Sequence, residues 1–548
     1  MLQRIIDSIG KYNFIEIALE GDLSEEEEKY LIPFFPRKKK LTMWDLERIF
    51  DHVSKSHNVK GVLLIIRTLK IGLARAEAIR RNIRELRERG KGVFAYLEAG
   101  GNIEYLISSA AAKIFLPPWS TLNLIGLKAE ASFLKDALDK LGIQAQLKGL
   151  GRYKSAAETF TRSDMSDSHR EMLGSILDDI FAQFIEAIAN GRGVEEESIK
   201  ELVDRGPFTA EDALEERLVN GIGYQDDFEE AIRESLGIQI RKIGAISVLR
   251  IIKFRDLIRR VFATIKGRPY IIAIVSDSGM ISHGSSKGTG VAKILGSQTI
   301  INLLNNLAKD RNVKAIILRI LTPGGSGLAS DLICHQLKVI ANKKPVVVSM
   351  SDIAASGGYL IALGANKIVA EPFTLTGSIG IISGKFNLQN LYNKLGVIKE
   401  SIIRGKSALM FSSSRGFTKA EEENLLKMMK SFYNRFVGIV AIERKKDFKT
   451  AESLSRGRVW TGRQAKKHGL IDEIGGIRLA IEVAKREAGI PETTSPVVKF
   501  ISKPKGLQFD PFAKSIVLKQ QFETLIELMT DLDNEAVLAL MPYWIRIR

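Results

Sequence analysis

The sequence predicts an α/β protein built from two copies of one domain, each organised around a mainly parallel sheet. Three observations carry this. The chain has 548 residues, too many for a single hydrophobic core. A fixed internal offset of 254 positions relates its two halves. Within each half, short β-rich apolar runs alternate with longer helical patterns, the signature of βα units. Hydrophobic residues make up 45% and charged residues 26%, which suits a folded α/β chain and not a disordered one.

The repeat begins at Asn58-Val59-Lys60, followed by GVLLIIR, which recurs as Asn312-Val313-Lys314 followed by AIILRI. The same offset aligns Tyr105-Leu106-Ile107 with Tyr359-Leu360-Ile361, Pro118 with Pro372, and Lys140-Leu141-Gly142 with Lys394-Leu395-Gly396. FTAEDA (208–213) matches WTGRQA (460–465) at an offset of 252, so two residues have been lost between them. The expected organisation is a first copy over 1–240, a linker over 241–267, a second copy over 268–500 and a C-terminal extension over 501–548 that belongs to neither copy.

In chain order, LLIIR and GVFAYL read as strands of the first copy, with ARAEAIRRNIRELRERG as the helix between them; AIILRI and PVVVSM are strands of the second. Between the copies, residues 241–268 hold nine basic residues and one acid, Asp256. Val248, Ile251, Phe254, Ile258, Val261 and Ile265 fall at roughly helical spacing there. The segment reads either as a linker helix packed on a neighbouring domain or as a basic amphipathic helix on an anionic membrane. The acidic run Glu25–Glu28 and the basic run Arg37–Lys40 read as solvated faces.

Several classes are excluded or disfavoured. One cysteine, Cys334, rules out a disulfide framework and sits in an apolar helical stretch, SDLICHQL, as a core thiol. The six histidines form no metal-spaced pair, so neither a metal nor a cofactor is expected. The net charge of +17 comes without aromatics interleaved among the basic residues, so nucleic acid is not the expected partner. No run of about 18 uncharged apolar residues marks a spanning helix, and MLQRIIDSIGKYNF lacks the apolar stretch of a signal peptide. A cytoplasmic or peripheral location is the literal expectation.

The copies differ where chemistry is expected. SDIAASGGY (351–359) sets Ser356 among small residues after a strand, and its counterpart in the first copy is Asn102. Thr322-Pro323-Gly324-Gly325 ends another strand of the second copy, where the first has Thr68-Leu69-Lys70-Ile71. Serine and glycine turn are thus lost together. Glycines after a strand let backbone N–H groups approach a ligand, as an oxyanion hole requires. A serine nucleophile also needs a base. No histidine stands in a recognisable triad context, whereas a lysine serves if burial lowers its pKa. Lys154, in GRYKSAAETFTR, faces Ala408 at the 254 offset. One copy therefore offers the lysine and the other the serine and glycines.

These residues resemble the S49 serine peptidases, in their long, duplicated signal peptide peptidase A (protease IV) form. The motifs are YKSAAETFTRSDMS around Lys154, RILTPGGS (319–326), SDIAASGGYLIALGANKIVA (351–370), TGSIGI (376–381) and GRVWTGRQAKKHGLIDEIGG (457–476). The resemblance spans about residues 10–500. It implies tandem ClpP/crotonase-like domains assembled into a bowl-shaped homo-oligomer, a tetramer, that degrades cleaved signal peptides and other unfolded or membrane-released peptides. It implies Ser356 as nucleophile, Lys154 as general base, Ser378 as the residue holding the lysine amine, and Gly325 and Gly357 N–H groups as the oxyanion hole. It also pulls the location towards the membrane.

Three departures from the family's pattern stand out: only about ten residues precede the first strand, where the family usually carries a membrane anchor, Leu321 replaces the asparagine before the glycine turn, and Thr159 replaces the proline after KSAAE. Lys406 is the rival base, since single-domain relatives keep their lysine near that point. An acyl-CoA enzyme of the crotonase type and a non-catalytic membrane scaffold are the alternative functions.

Overall fold

The computed structural model describes residues 12–25, 40–98, 100–266, 270–288, 293–501, 537–541 and 546–547. In the first half, the strands Phe14–Gly21, Gly61–Leu69, Gly92–Leu97 and Lys113–Leu116 lie side by side and parallel. Lys242–Gly244 and Gly221–Ile222 close the two edges of this sheet. Helices cover both faces, so Val62, Leu63 and Leu64 are all buried and the strand reads as an unbroken apolar run instead of an alternating one.

The second half repeats the plan. Ile271–Ser278, Val313–Thr322, Val346–Ala355 and Lys367–Ala370 are parallel neighbours. Val346–Ala355 also pairs with Leu375–Gly377, on which Val459–Thr461 lies antiparallel. The duplication extends to single hydrogen bonds. Tyr105 donates from its hydroxyl to the Leu218 carbonyl at 2.8 Å, and Tyr359 donates to the Leu470 carbonyl at 2.8 Å. The Ile114 amide donates to Asn220 Oδ1 at 2.9 Å, and the Ile368 amide to Asp472 Oδ2 at 2.8 Å.

The basic segment between the halves is a helix, Ala245–Lys266. Ala245, Val248, Leu249 and Ile252 are buried in the core of the first half, among residues that include Ile49 and Val53. Its early apolar face is thus used in packing, while Leu257 and Ile258 are exposed. Cys334 is buried as expected, and burial pushes its thiol pKa up to about 12. Among the described residues, no helix is long and apolar enough to cross a membrane, and no cluster of His, Cys, Asp and Glu suited to a metal occurs.

The halves interlock through buried ion pairs. Arg81, on the helix Leu73–Glu88, grips Glu371 of the other half with two bonds of 2.5 and 2.7 Å. Arg75 reaches Asp352 at 2.5 Å. Glu25 departs from the expected solvated acidic run: its side chain is only 11% exposed, accepts two bonds from Arg319 at 3.0 and 3.2 Å, and also accepts from Ser351. The buried guanidinium of Arg319 supplies the physical reason, because an unpaired cation there would be costly. Residues 26–28 and 37–39 of the two charged runs lie outside the described residues.

A further sheet draws strands from everywhere in the chain. Its order is Ile294–Gly296, Met280–Ser282, Gly324–Ser326, Leu538–Leu540, Ile381–Asn387, Gln144–Leu150. The first copy supplies Gln144–Leu150, which runs antiparallel along Ile381–Asn387 of the second. This cross-copy pairing brings the lysine turn to the serine turn.

Candidate active site

Three tight turns converge at the end of the second half's sheet. The first follows Val346–Ala355. Ser356 has φ 54° and ψ −111°, outside the regions favoured by a non-glycine residue, immediately before the helix Gly357–Ala362. Its amide is tied to the Gly377 carbonyl at 2.7 Å. Such strain persists only where the surroundings over-determine it, and it concentrates at functional positions. The hydroxyl of Ser356 is completely buried.

The second turn carries Ser378, also at positive φ (51°), with its amide donating to the Arg458 carbonyl at 2.7 Å. The third carries Lys154, just before the short 3-10 turn Ser155–Ala157. Lys154 Nζ lies 2.7 Å from Ser356 Oγ, 2.8 Å from the Ser378 carbonyl oxygen and 3.1 Å from Ser378 Oγ. A neutral amine has two N–H donors and one lone pair. With the donors used on Ser378, the lone pair is left for the Ser356 hydroxyl.

Electrostatics favour that neutral form. Lys154 is 4% exposed, and burial holds its pKa well below the usual lysine range. Among the described residues no counter-charge offsets the loss of hydration, which favours the neutral amine.

The glycine turn stands opposite. Gly324 and Gly325 have φ of 112° and 146°, values that L side chains rarely adopt. A Cβ at Gly325 would fall 2.2 Å from the Ile281 carbonyl oxygen, and one at Gly324 would fall 3.1 Å from the Gly357 nitrogen. The two amides singled out in the sequence, Gly325 and Gly357, therefore belong to neighbouring turns. Thr322 Oγ1 accepts from the Gly324 amide at 3.1 Å and braces the turn. Thr322 thus provides side-chain support where Leu321 cannot.

The structure brings together Ser356, Lys154 and Ser378, with Gly325 and Gly357 alongside. Lys406 stays apart: it is exposed, in a turn segment of the second copy. Two features escaped the sequence reading. Gly457, at φ 79°, packs against the Lys154 backbone; its place in GRVWTG was the available signal. Leu538–Leu540 lies beside the glycine turn, and its only signal was a short apolar run in an extension matching neither copy.

The comparisons with known proteins meet this geometry. The model of Peptidase family S49 matches residues 85–239 and 338–491, once in each half. The chain belongs to peptidase family S49. Over 497 residues it is 33% identical to the serine protease SPPA, chloroplastic, of Arabidopsis thaliana, covering 90% of this chain and 72% of that protein. It is 31% identical to protease 4 of Salmonella typhi over 464 residues, covering 82% and 73%. Among solved structures, a ClpP1 mutant from Listeria monocytogenes overlaps 41% of this chain and 99% of its own at 18% identity and a TM-score of 0.26. As a member of S49 the chain is a serine peptidase with a duplicated α/β fold, which sets aside the acyl-CoA and scaffold alternatives.

Proposed function

We propose that this S49 chain is an endopeptidase working through a Ser356–Lys154 dyad. The observation that carries the reading is the buried Lys154 amine 2.7 Å from the Ser356 hydroxyl, with no carboxylate among the described residues to keep it charged. Lys154 takes the proton as Ser356 Oγ attacks a peptide carbonyl. The Gly325 and Gly357 amides receive the developing oxyanion, each such donor contributing about 10²–10³ in rate. Lys154 then returns the proton to the leaving amine and activates water against the acyl-enzyme. Ser378, holding the amine through two contacts, is the positioning residue.

Cleaved signal peptides and other unfolded or membrane-released peptides are the proposed substrates. The place between Gly324–Ser326 and Ile381–Asn387, which the strand Leu538–Leu540 occupies beside Met280, Ile382 and Phe386, has the shape and apolar lining for an extended chain.

A homo-oligomer is proposed as well, a tetramer by family resemblance. The 254 offset maps Gln144–Leu150 onto 398–404, where Ile398 and Ile402 are 86% and 94% exposed. In the first copy that segment pairs with Ile381–Asn387, and its second-copy counterpart would pair in the same way with 127–133 of a neighbouring molecule. Light scattering on the purified chain tests this, and a monomer at micromolar concentration would overturn it.

Casein hydrolysis tests the dyad. Ser356→Ala and Lys154→Ala should each lower turnover by about 10³-fold or more, with Lys406→Ala close to wild type. Equal hydrolysis by wild type and Ser356→Ala would overturn the reading.

A further inference from the structure

Lys385, on the strand Ile381–Asn387 that borders the groove, is a buried amine with no hydrogen-bond partner among the described residues. The residue is only 3% exposed. Its amine sits over the face of the Phe417 ring, 4.4 Å from the ring centre. Keeping such an amine charged without a hydrogen-bonding anion is costly. Burial, reinforced by the nearby Arg415 guanidinium, pushes its pKa down to about 8.

The acceptors around it are already committed. Lys385 stands directly across the ladder from Gln146, so the two share a face of the sheet. Gln146 Oε1 accepts from the Phe417 amide at 3.0 Å. Glu421 accepts from both terminal nitrogens of Arg415, at 2.6 and 2.8 Å, and from the Thr418 amide at 2.9 Å. Farther along the same face, Lys148 stands opposite Ser383 and pairs with Glu422 at 2.7 Å. Arg415 and Lys148 are therefore neutralised in place, and Lys385 is left over. A carboxylate is the group it lacks.

Strand register fixes which residue of a bound chain reaches that amine. Ile382 and Phe386 face the apolar cluster that holds Leu538 and Leu540. Lys385 has the opposite phase on the strand and faces the other side. In the groove, Gly325 pairs with Ala539 and Ile382 with Leu538. An extended substrate whose scissile carbonyl meets the Gly325 amide takes the same register. The residue before the cut bond then stands at Gly325, and the one before that at Ile382. Antiparallel continuation along Ile381–Asn387 sets the fifth residue before the cut bond directly opposite Lys385, with Cβ atoms about 5 Å apart.

We propose that Lys385 is a binding site for an acidic side chain of the substrate, at the fifth residue on the N-terminal side of the cut bond. The inference rests on the serine peptidase reading above. A glutamate entering there brings its carboxylate to an amine from which the Phe417 ring and the surrounding fold already exclude water. In so dry a place an ion pair is far stronger than on the surface. A lysine or arginine at the same substrate position meets Lys385 and Arg415 and is repelled, so the site selects by charge as well as by attraction. The apolar lining at Ile382 and Phe386 selects by hydrophobicity on the other face of the same strand.

Synthetic peptides built around one bond that the purified chain cuts in casein test this. The fifth residue before that bond is made Glu, Gln or Lys in otherwise identical peptides, and mass spectrometry confirms the bond cut. Wild type should give a kcat/KM for the Glu peptide about tenfold or more above that for the Gln peptide, with the Lys peptide lowest. Moving the Glu one residue towards the bond, onto the opposite face of the strand, should abolish the gain. In Lys385→Met the Glu-to-Gln ratio should fall to about one, and a ratio taken within one preparation does not depend on how much of the variant has folded. A wild-type ratio below about threefold, a gain that follows Glu to the fourth position, or a ratio kept by Lys385→Met overturns the acid site and leaves the peptidase reading standing. A chain that cuts no bond in casein overturns both.

Discussion

Gly457 lies so close to Lys154 that a Cβ on the glycine would fall 2.5 Å from the lysine backbone nitrogen and 2.7 Å from its Cα. The segment around it clamps the Lys154 turn to the Ser378 turn: the Arg456 carbonyl accepts from the Tyr153 amide at 2.7 Å, and the Gly457 amide donates to the Ile379 carbonyl at 2.8 Å. The position of the Lys154 amine is therefore set by a residue 303 places away in the sequence.

Gly457→Ala should displace the lysine turn. At φ 79° an alanine is strained as well as crowded. Peptidase turnover should fall by at least tenfold, with the loss in kcat more than in KM. Gly174→Ala, in the helix Asp167–Arg192 with nothing near its Cβ, is the control; it should keep activity and gain about 0.5–1 kcal/mol in denaturant unfolding.

Activity should rise with pH as Lys154 loses its proton, and the midpoint of kcat/KM should lie well below the ordinary lysine value, because burial lowers that pKa. Lys154→Arg should be inactive throughout the accessible range, since a guanidinium does not release its proton. A pH–rate profile of both chains decides; a midpoint near 10.5 would remove the buried base.

The same shift is a stability statement. The unfolded chain holds a proton on Lys154 up to about pH 10.4, while the folded chain releases it at lower pH. Between those two pKa values the unfolded state binds more protons, so stability rises with pH by about 1.4 kcal/mol per unit from this group. Below the folded pKa both states are protonated and the slope vanishes. Lys154→Met should lack the slope. Urea titrations of the two chains at a series of alkaline pH values measure the difference.

Arg81→Ala should cost about 3–5 kcal/mol, because it leaves the fully buried carboxylate of Glu371 without its partner. That pair joins the half carrying Lys154 to the half carrying Ser356, so activity should fall together with the melting temperature. Replacing Arg81 and Glu371 together by apolar residues of similar volume should recover most of the stability.

Much of this was legible in the amino-acid order. The 254-residue repeat, the βα alternation and the loss of serine and glycines from one copy are local patterns, and each follows from what neighbouring residues can do. Ser356 stands in a small-residue turn because there is no room for more: a Cβ at Gly357 would fall 2.5 Å from Ser330 Oγ, and one at Gly358 2.6 Å from Thr322 Cγ2. What the sequence left open was distance. Lys154 and Lys406 were both candidates, and only the antiparallel pairing of Gln144–Leu150 with Ile381–Asn387 carries one amine to the serine and leaves the other in solvent. Burial, which lowers the lysine pKa, is likewise a property of the assembled turns. The strand Leu538–Leu540 looked like an unassigned extension because its partners, Gly324–Ser326 and Ile381–Asn387, lie more than 150 positions upstream. Local chemistry determined which groups exist; long-range strand pairing decided which of them meet.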